Sequence, residues 1–398
     1  MQGAVEIKPG LHWIGSEDSD LRVFDDLFPT EHGTTYNAYL IKGSEKTAII
    51  DTVEHKYVDE FMDKVRSLVD PATIDYIIVN HTEQDHSGSL AYLLENCPKA
   101  VVVSTTAAKN FLTNQLHKPF PSQTVKDGDT IDLGGRQLRF IIAPFLHWPD
   151  TMFTRLEGEN ILFSCDAFAA HYCSPGKIFN DEVDDFTSAR QFYFDCIFRP
   201  FKDKVLSAVE KIRHDVIDMI CPSHGPIIRQ DPWKVIQQFE TWSKPTSFSK
   251  KLFILYISPH GNTERMAQAV VAGATAIGGV EVISYHISHL SAGEVRTLME
   301  EADALIFGIP TINRDIPKPM WDVMAYLSTV KLKTNIAGLF GSFGWSGEAC
   351  KMAEDRLKGM GFRLPLPAVK ATFTPTDEVL TQCEELGRAI AEEVQKKG

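Results

Sequence analysis

Six consecutive residues, His81-Thr82-Glu83-Gln84-Asp85-His86, carry four side chains able to bind a metal ion, directly after the apolar run 74–79. Three later segments repeat the arrangement. Phe140-Ile-Ile-Ala-Pro-Phe-Leu runs into His147, Asn160-Ile-Leu-Phe-Ser-Cys into Asp166, and Asp218-Met-Ile-Cys-Pro-Ser into His224. Each is a short apolar run, as a buried strand requires, followed by a ligand-type residue. Side chains leaving the same end of several strands of one sheet converge, so the pattern predicts a single metal centre. Imidazole suits zinc, copper, iron and nickel, whereas carboxylate oxygens favour harder ions and can bridge two of them. Seven ligands, His81, Glu83, Asp85, His86, His147, Asp166 and His224, fit a dinuclear site. Asp166, alone on its own strand end, is the natural bridge.

The elements behind these residues fall into two parts. At 398 residues the chain is long enough for two domains. The polar stretch 241–250, with Pro245, follows a helical pattern over 232–242 and precedes an apolar strand, so the expected domains are 1–248 and 249–398. In the second, the run 251–257 leads straight into Ser258-Pro-His-Gly-Asn-Thr263, and a helical pattern begins at Glu264. Strand, glycine-containing turn and helix surround one point with backbone N–H groups and the positive end of a helix dipole, where a phosphate monoester fits. The loop has neither a dinucleotide fingerprint nor a Walker sequence. Its phosphate-facing turn carries no Lys or Arg, so neutral donors must hold the phosphate. Further apolar runs near 280–287, 303–309, 335–340 and 368–373 complete five strands of a doubly wound sheet. A ligand of such a sheet lies at the strand carboxyl ends, near the switch point.

The ligand string resembles that of the metallo-β-lactamase fold, whose zinc hydrolases usually read His-x-His-x-Asp-His. Here Glu83 stands for the second His, which is similar to the flavodiiron proteins (A-type flavoproteins). Ser-x-x-Gly-x-Thr resembles the phosphate loop of flavodoxins, which bind FMN. The resemblance runs from about residue 5 to about 395. It implies an N-terminal metallo-β-lactamase-like αββα sandwich followed by a flavodoxin-like doubly wound parallel sheet. It also implies two irons, one on His81, Glu83 and His147 and the other on Asp85, His86 and His224, with Asp166 between them. The FMN contacts it implies are Ser258, His260, Gly261, Asn262 and Thr263; Pro310, Thr311, Ile312, Asn313 and Asp315; and Ser342, Phe343, Gly344, Trp345, Ser346 and Gly347. Trp345 lies either against the flavin or on the domain's own edge, and His260 either near the phosphate or in solvent. His171 and Tyr193 are either proton-supplying residues behind the ligands or buried groups with backbone partners.

The activity so implied is electron transfer from an external donor through FMN to di-iron, reducing O2 to water, NO to nitrous oxide, or both. Rubredoxin, a deazaflavin or a separate reductase serve as donors in such systems, and no Cys-x-x-Cys is present to hold a fused rubredoxin iron. The family's solution to joining the two sites is a head-to-tail homodimer, alone or as a dimer of dimers. A zinc hydrolase with a flavodoxin-like regulatory domain is the alternative reading, weakened by Glu83. The net charge of −13 argues against nucleic acid. No apolar run reaches the roughly 18 residues a membrane span needs. The N-terminus lacks a secretory pattern, and seven scattered cysteines read as buried thiols, so the expected compartment is the cytoplasm.

Overall fold

The computed structural model describes residues 3–244 and 249–396; positions 245–248 of the expected linker lie outside the described residues. The chain divides into two compact units, Met1–Lys244 and Pro245–Gly398.

The first unit packs two sheets face to face. One holds seven strands in chain order: β1 (Val5–Lys8), β2 (Leu11–Trp13), β3 (Tyr39–Lys42), β4 (Thr47–Ile50), β5 (Tyr76–Ile78), β6 (Val101–Ser104) and β7 (Ser122–Thr124). Pairing is antiparallel from β1 to β4 and parallel from β4 to β7. The other holds β8 (Thr130–Asp132), β9 (Gln137–Ile142), β10 (Met152–Leu156), β11 (Ile161–Cys165) and β12 (Met219–Pro222), antiparallel except for β11 with β12. Period-two alternation sorts their side chains. Tyr39, Ile41, Ile50, Ile78 and Val103 join Phe140, Met152 and Phe163 in the core between the sheets. The intervening Leu40, Ile49, Ile77 and Val102 face outward instead, onto Phe61 and Val65 of helix Val58–Leu68 and Leu112 of helix Thr106–Leu116. On the far side, Phe153 and Leu162 meet Phe194, Val209 and Phe239 from helices Thr187–Ile197, Lys202–Ile212 and Pro232–Ser243. Strands buried on both faces need continuous apolar runs, which is why they read so plainly in the sequence. The layers are helix, sheet, sheet, helix.

The second unit is one parallel sheet of β13 (Lys251–Tyr256), β14 (Glu281–His286), β15 (Ala304–Gly308), β16 (Ala337–Phe343) and β17 (Val369–Thr372), in the order β14-β13-β15-β16-β17. Separate cores cover its two faces. The helix after β13 spans Asn262–Thr275, two residues earlier than its apolar pattern suggests, because Gly261 adopts φ +78° and turns the chain directly into it. It packs closely on helix Asp377–Lys396, where a Cβ on Gly387 would lie 2.0 Å from the Val270 carbonyl oxygen.

Candidate metal centre and flavin site

The four ligand-bearing segments end beside one another, but on two sheets rather than the single sheet expected. His81 follows β5 in the seven-stranded sheet, whereas His147, Asp166 and His224 follow β9, β11 and β12 in the five-stranded one. The loops meet over the open end of the shared core, so convergence comes from the sandwich rather than from one row of strand ends. Helix Gln84–Ser87 starts directly after Glu83 and turns Asp85 and His86 inward, where both are buried.

All seven residues come together as two groups. His81, Glu83, His147 and Asp166 form one; Asp85, His86 and His224 form the other, each with its ligand atoms within 4.8 Å of one another. Nε2 of His147 lies 3.0 Å and Nε2 of His81 3.3 Å from Glu83 Oε2. Both imidazoles stand 3.7 Å from Oδ2 of Asp166. In the second group, Nε2 of His86 and of His224 each lie 3.0 Å from Asp85 Oδ2. Those two nitrogens stand 3.0 and 3.5 Å from the other Asp166 oxygen, Oδ1. Asp166 thus presents one oxygen to each group.

A pair of iron ions fits this donor set. Oδ1 of Asp85, Oδ2 of Asp166 and Nε2 of His86 are buried without a hydrogen-bond partner in the protein. Buried polar atoms are otherwise nearly always paired, so lone pairs of nitrogen and oxygen that converge without protein partners suit the binding of cations. Burial alone would raise the Asp166 carboxyl, but the imidazoles of His86, His81 and His224 outweigh it and hold the group well below the carboxylate range. Asp85 is lowered by His86 and His224 against the same burial, and Glu83 by His147 and His81. Reciprocally, burial would lower His81, yet Asp150 and Glu83 push it up to about 10. Cys165 lies close to His86 and Asp166, and burial drives its thiol well above its ordinary value.

Outer partners fix the rings. Nδ1 of His81 lies 3.2 Å from Asp150 Oδ2, and Nδ1 of His224 lies 2.6 Å from the Thr35 carbonyl. Sequence reading missed both partners, although Asp150 closes the His147-Trp-Pro-Asp string. Tyr193 donates to Asp166 Oδ1 at 3.3 Å, and Ser223 donates to the same oxygen at 2.7 Å. Nδ1 of His171 pairs with Thr34 Oγ1 at 2.9 Å. Burial, then the neighbouring His224, push its pKa well below the ordinary value. A cavity of about 910 Å³ reaches Glu83 and Asp85 past Phe24, Tyr36 and Trp148. Neither Tyr193 nor His171 lines it.

The second unit holds a cavity of about 390 Å³ at the carboxyl ends of β13, β15 and β16. Of the expected contacts, Ser258, His260, Asn262, Thr263, Pro310, Thr311, Ile312, Asn313, Ser342, Phe343, Gly344 and Trp345 line it. Gly261, Asp315, Ser346 and Gly347 are not among the lining residues. Gly261 makes the turn, and Asp315 instead accepts from Trp321 Nε1 at 3.0 Å and from the Ile316 amide, bracing the loop. Pro259 and Phe373 line the cavity unforeseen, Phe373 because β17 ends one residue before it. Trp345 is 75% exposed, so it stands at the cavity rim rather than packing on the sheet edge.

Family models match both units: the ODP family β-lactamase over residues 34–225 and flavodoxin over 254–387. The flavo-diiron protein FprA2 of Clostridium acetobutylicum is 36% identical, with 98% of this chain and all of that protein covered. The chain belongs to the flavodiiron family. Another relative at 37% identity, covering 98% of this chain and 99% of its own, is the nitric oxide reductase of Moorella thermoacetica. Among solved structures, the rubredoxin oxygen:oxidoreductase of Desulfovibrio gigas superposes with a TM-score of 0.70 at 32% identity, over 99% of both chains. For a flavodiiron protein, the convergence of the seven donors and a cavity at the carboxyl ends of β13 and β15 are the two expected sites on one chain.

Proposed function

We propose that His81, Glu83 and His147 hold one iron and Asp85, His86 and His224 the other, bridged by Asp166, and that the loops around the second cavity hold FMN. The protein is a flavodiiron oxidoreductase that reduces O2 to water, NO to nitrous oxide, or both. The observation carrying this reading is the division of Asp166, with one carboxylate oxygen facing each group of imidazoles. When bound, FMN passes electrons singly, and the di-iron centre stores two and offers positions for a diatomic molecule. The chain's own work is to hold these groups and to admit the substrate. Asp150 and Thr35 orient His81 and His224 so that Nε2 lone pairs point inward. The 910 Å³ cavity supplies the substrate's route to Glu83 and Asp85. Tyr193 and His171 act from behind the ligands, Tyr193 by steadying Asp166 through its hydroxyl and His171 through Thr34.

The domain boundary we favour is 248/249. The electron donor is a separate protein or flavin: a rubredoxin, a deazaflavin or a reductase. A head-to-tail homodimer, paired further or not, is supported by apolar rims at both cavities. Trp345, Phe373 and Ile312 are exposed at the flavin site, and Val23 at the mouth of the metal cavity. No helix among the described residues is long and apolar enough to cross a membrane, in keeping with a cytoplasmic site of action.

Metal and flavin content of anaerobically purified protein tests the assignment. About two irons and one FMN per chain, followed by O2 and NO consumption with a reduced donor, is the expected result. Zinc in protein grown with ample iron would transfer the reading to a hydrolase.

A further inference from the structure

The phosphate loop of the second unit carries no Lys or Arg, so its affinity depends on where its hydroxyl and amide donors point. One of those donors is tied by a residue outside the cavity. The amide of Ser258, the first residue after Ile257, donates to Nε2 of His286 at 3.1 Å. An amide can only donate, so Nε2 must offer a lone pair. A neutral imidazole then carries its proton on Nδ1, which donates to Ser288 Oγ at 2.6 Å. The 3.4 Å approach of the Ser288 amide to the same Nδ1 is left without an acceptor. The shorter of the two amide contacts, 3.1 Å against 3.4 Å, thus selects the tautomer, and the Ser288 hydroxyl, able to donate or accept, follows it. The ring sits edge-on to Tyr256 and tilted against His289, both at centroid distances of 5.3 Å, and Tyr256 in turn donates to Glu264 at 3.4 Å.

Ser258 is consequently fixed at two atoms. Its amide is drawn toward His286, and its Oγ accepts from the Glu264 amide in the first turn of the following helix, at 3.0 Å. Only the Ser258 hydroxyl hydrogen remains to be given to a ligand. At the other end of the loop Thr263 Oγ1 and Ser342 Oγ lie 2.9 Å apart and are buried. Between these anchors Asn262 and Thr263 open the helix with amides that have no intrahelical acceptor.

We infer that His286 is a positioning residue for the cofactor phosphate: its Nε2 lone pair holds the Ser258 amide and thereby sets the Ser258 hydroxyl toward the phosphate. His286 does not line the cavity. The inference rests on the assignment of that cavity to FMN.

Riboflavin, which lacks the phosphate, separates this role from general support of the fold. Flavin-free full-length protein is titrated with FMN and with riboflavin, following flavin fluorescence. In His286→Asn the side chain reaches only as far as Nδ1 did, keeping Ser288 and losing Ser258. FMN affinity should fall about tenfold, the loss of one positioned hydrogen bond and its consequences, while riboflavin affinity stays unchanged. In His286→Gln the amide oxygen takes the place of Nε2, and FMN affinity should return to within about twofold of the parent. Equal loss of both flavins, no loss in His286→Asn, or failure of His286→Gln to restore FMN binding would overturn the inference. The parent protein offers a check that requires no variant. 15N spectra of histidine-labelled protein should show His286 with a protonated Nδ1 and a bare Nε2, and the opposite tautomer also overturns it. Should the parent bind neither flavin, the cavity assignment itself fails.

Discussion

Asp150 binds at three points with a single oxygen: Oδ2 lies 3.2 Å from His81 Nδ1 and accepts from both the amide and the hydroxyl of Thr82 at 2.8 Å. It therefore orients His81 and anchors the start of the ligand string together. Asp150→Ala should weaken iron binding by about 10- to 100-fold, read by competition against a chelator in the anaerobic protein; an unchanged affinity would remove Asp150 from the site. The ligands' charges also predict how the metal-free protein responds to pH. His81 rises from 6.5 to about 10 on folding. Its stabilising contribution is complete below pH 6.5 and is lost as pH rises through about 10. Asp166, Asp85 and Glu83 are lowered from 3.8, 3.8 and 4.5, so theirs is complete above those values and lost as pH falls below them. Urea midpoints of metal-free protein should thus peak between about pH 4.5 and 6.5 as far as this cluster decides. The Asp166→Asn variant should show a flatter acid limb, and an identical one would refute the linkage.

Between residue and domain, two devices hold the elements in place. Near the metal, Asn80 precedes His81 and ties the sheets: its amide and side chain donate to Asp51 at 2.7 and 3.0 Å, and its Oδ1 accepts from Thr154 of β10 at 2.7 Å. In the second unit the approach of two helices depends on the absence of a side chain. A Cβ at Gly387 would sit 2.0 Å from the Val270 carbonyl, and one at Gly273 1.9 Å from that of Glu384. Backbone cannot yield as a flexible side chain does, so Gly387→Ala should destabilise the unit by about 1–3 kcal/mol. Thermal unfolding monitored by FMN release checks this, and a melting temperature within one degree or so of the parent's would show that the helices separate freely. The glycines were visible in the sequence, but their role was not. A glycine inside a helical pattern records either a weak helix or a close neighbour, and only the neighbour's position tells which.

Among the described residues each unit carries cores of its own, three in the first and two in the second. Whole-chain unfolding should accordingly show two transitions that answer to different ligands. Removing iron with a chelator should lower only the transition of the first unit, and removing FMN only that of the second. Calorimetry of the four loading states measures this, and a single transition moving with either ligand would argue against independent units. The sequence by itself determined the ligand types and their order, the five strands of the flavin unit, and the loops that surround its cavity. These are local facts: a buried strand must be continuously apolar, and a phosphate turn needs its glycine and hydroxyls within a few residues. Tertiary structure alone decided that the ligands rise from two sheets, and that His81 rests on a residue 69 positions away and His224 on one 189 positions away. Spacing along a chain records the period of burial and the turns it demands. It holds no record of which distant carbonyl, carboxylate or amide will face a given ring once the layers close.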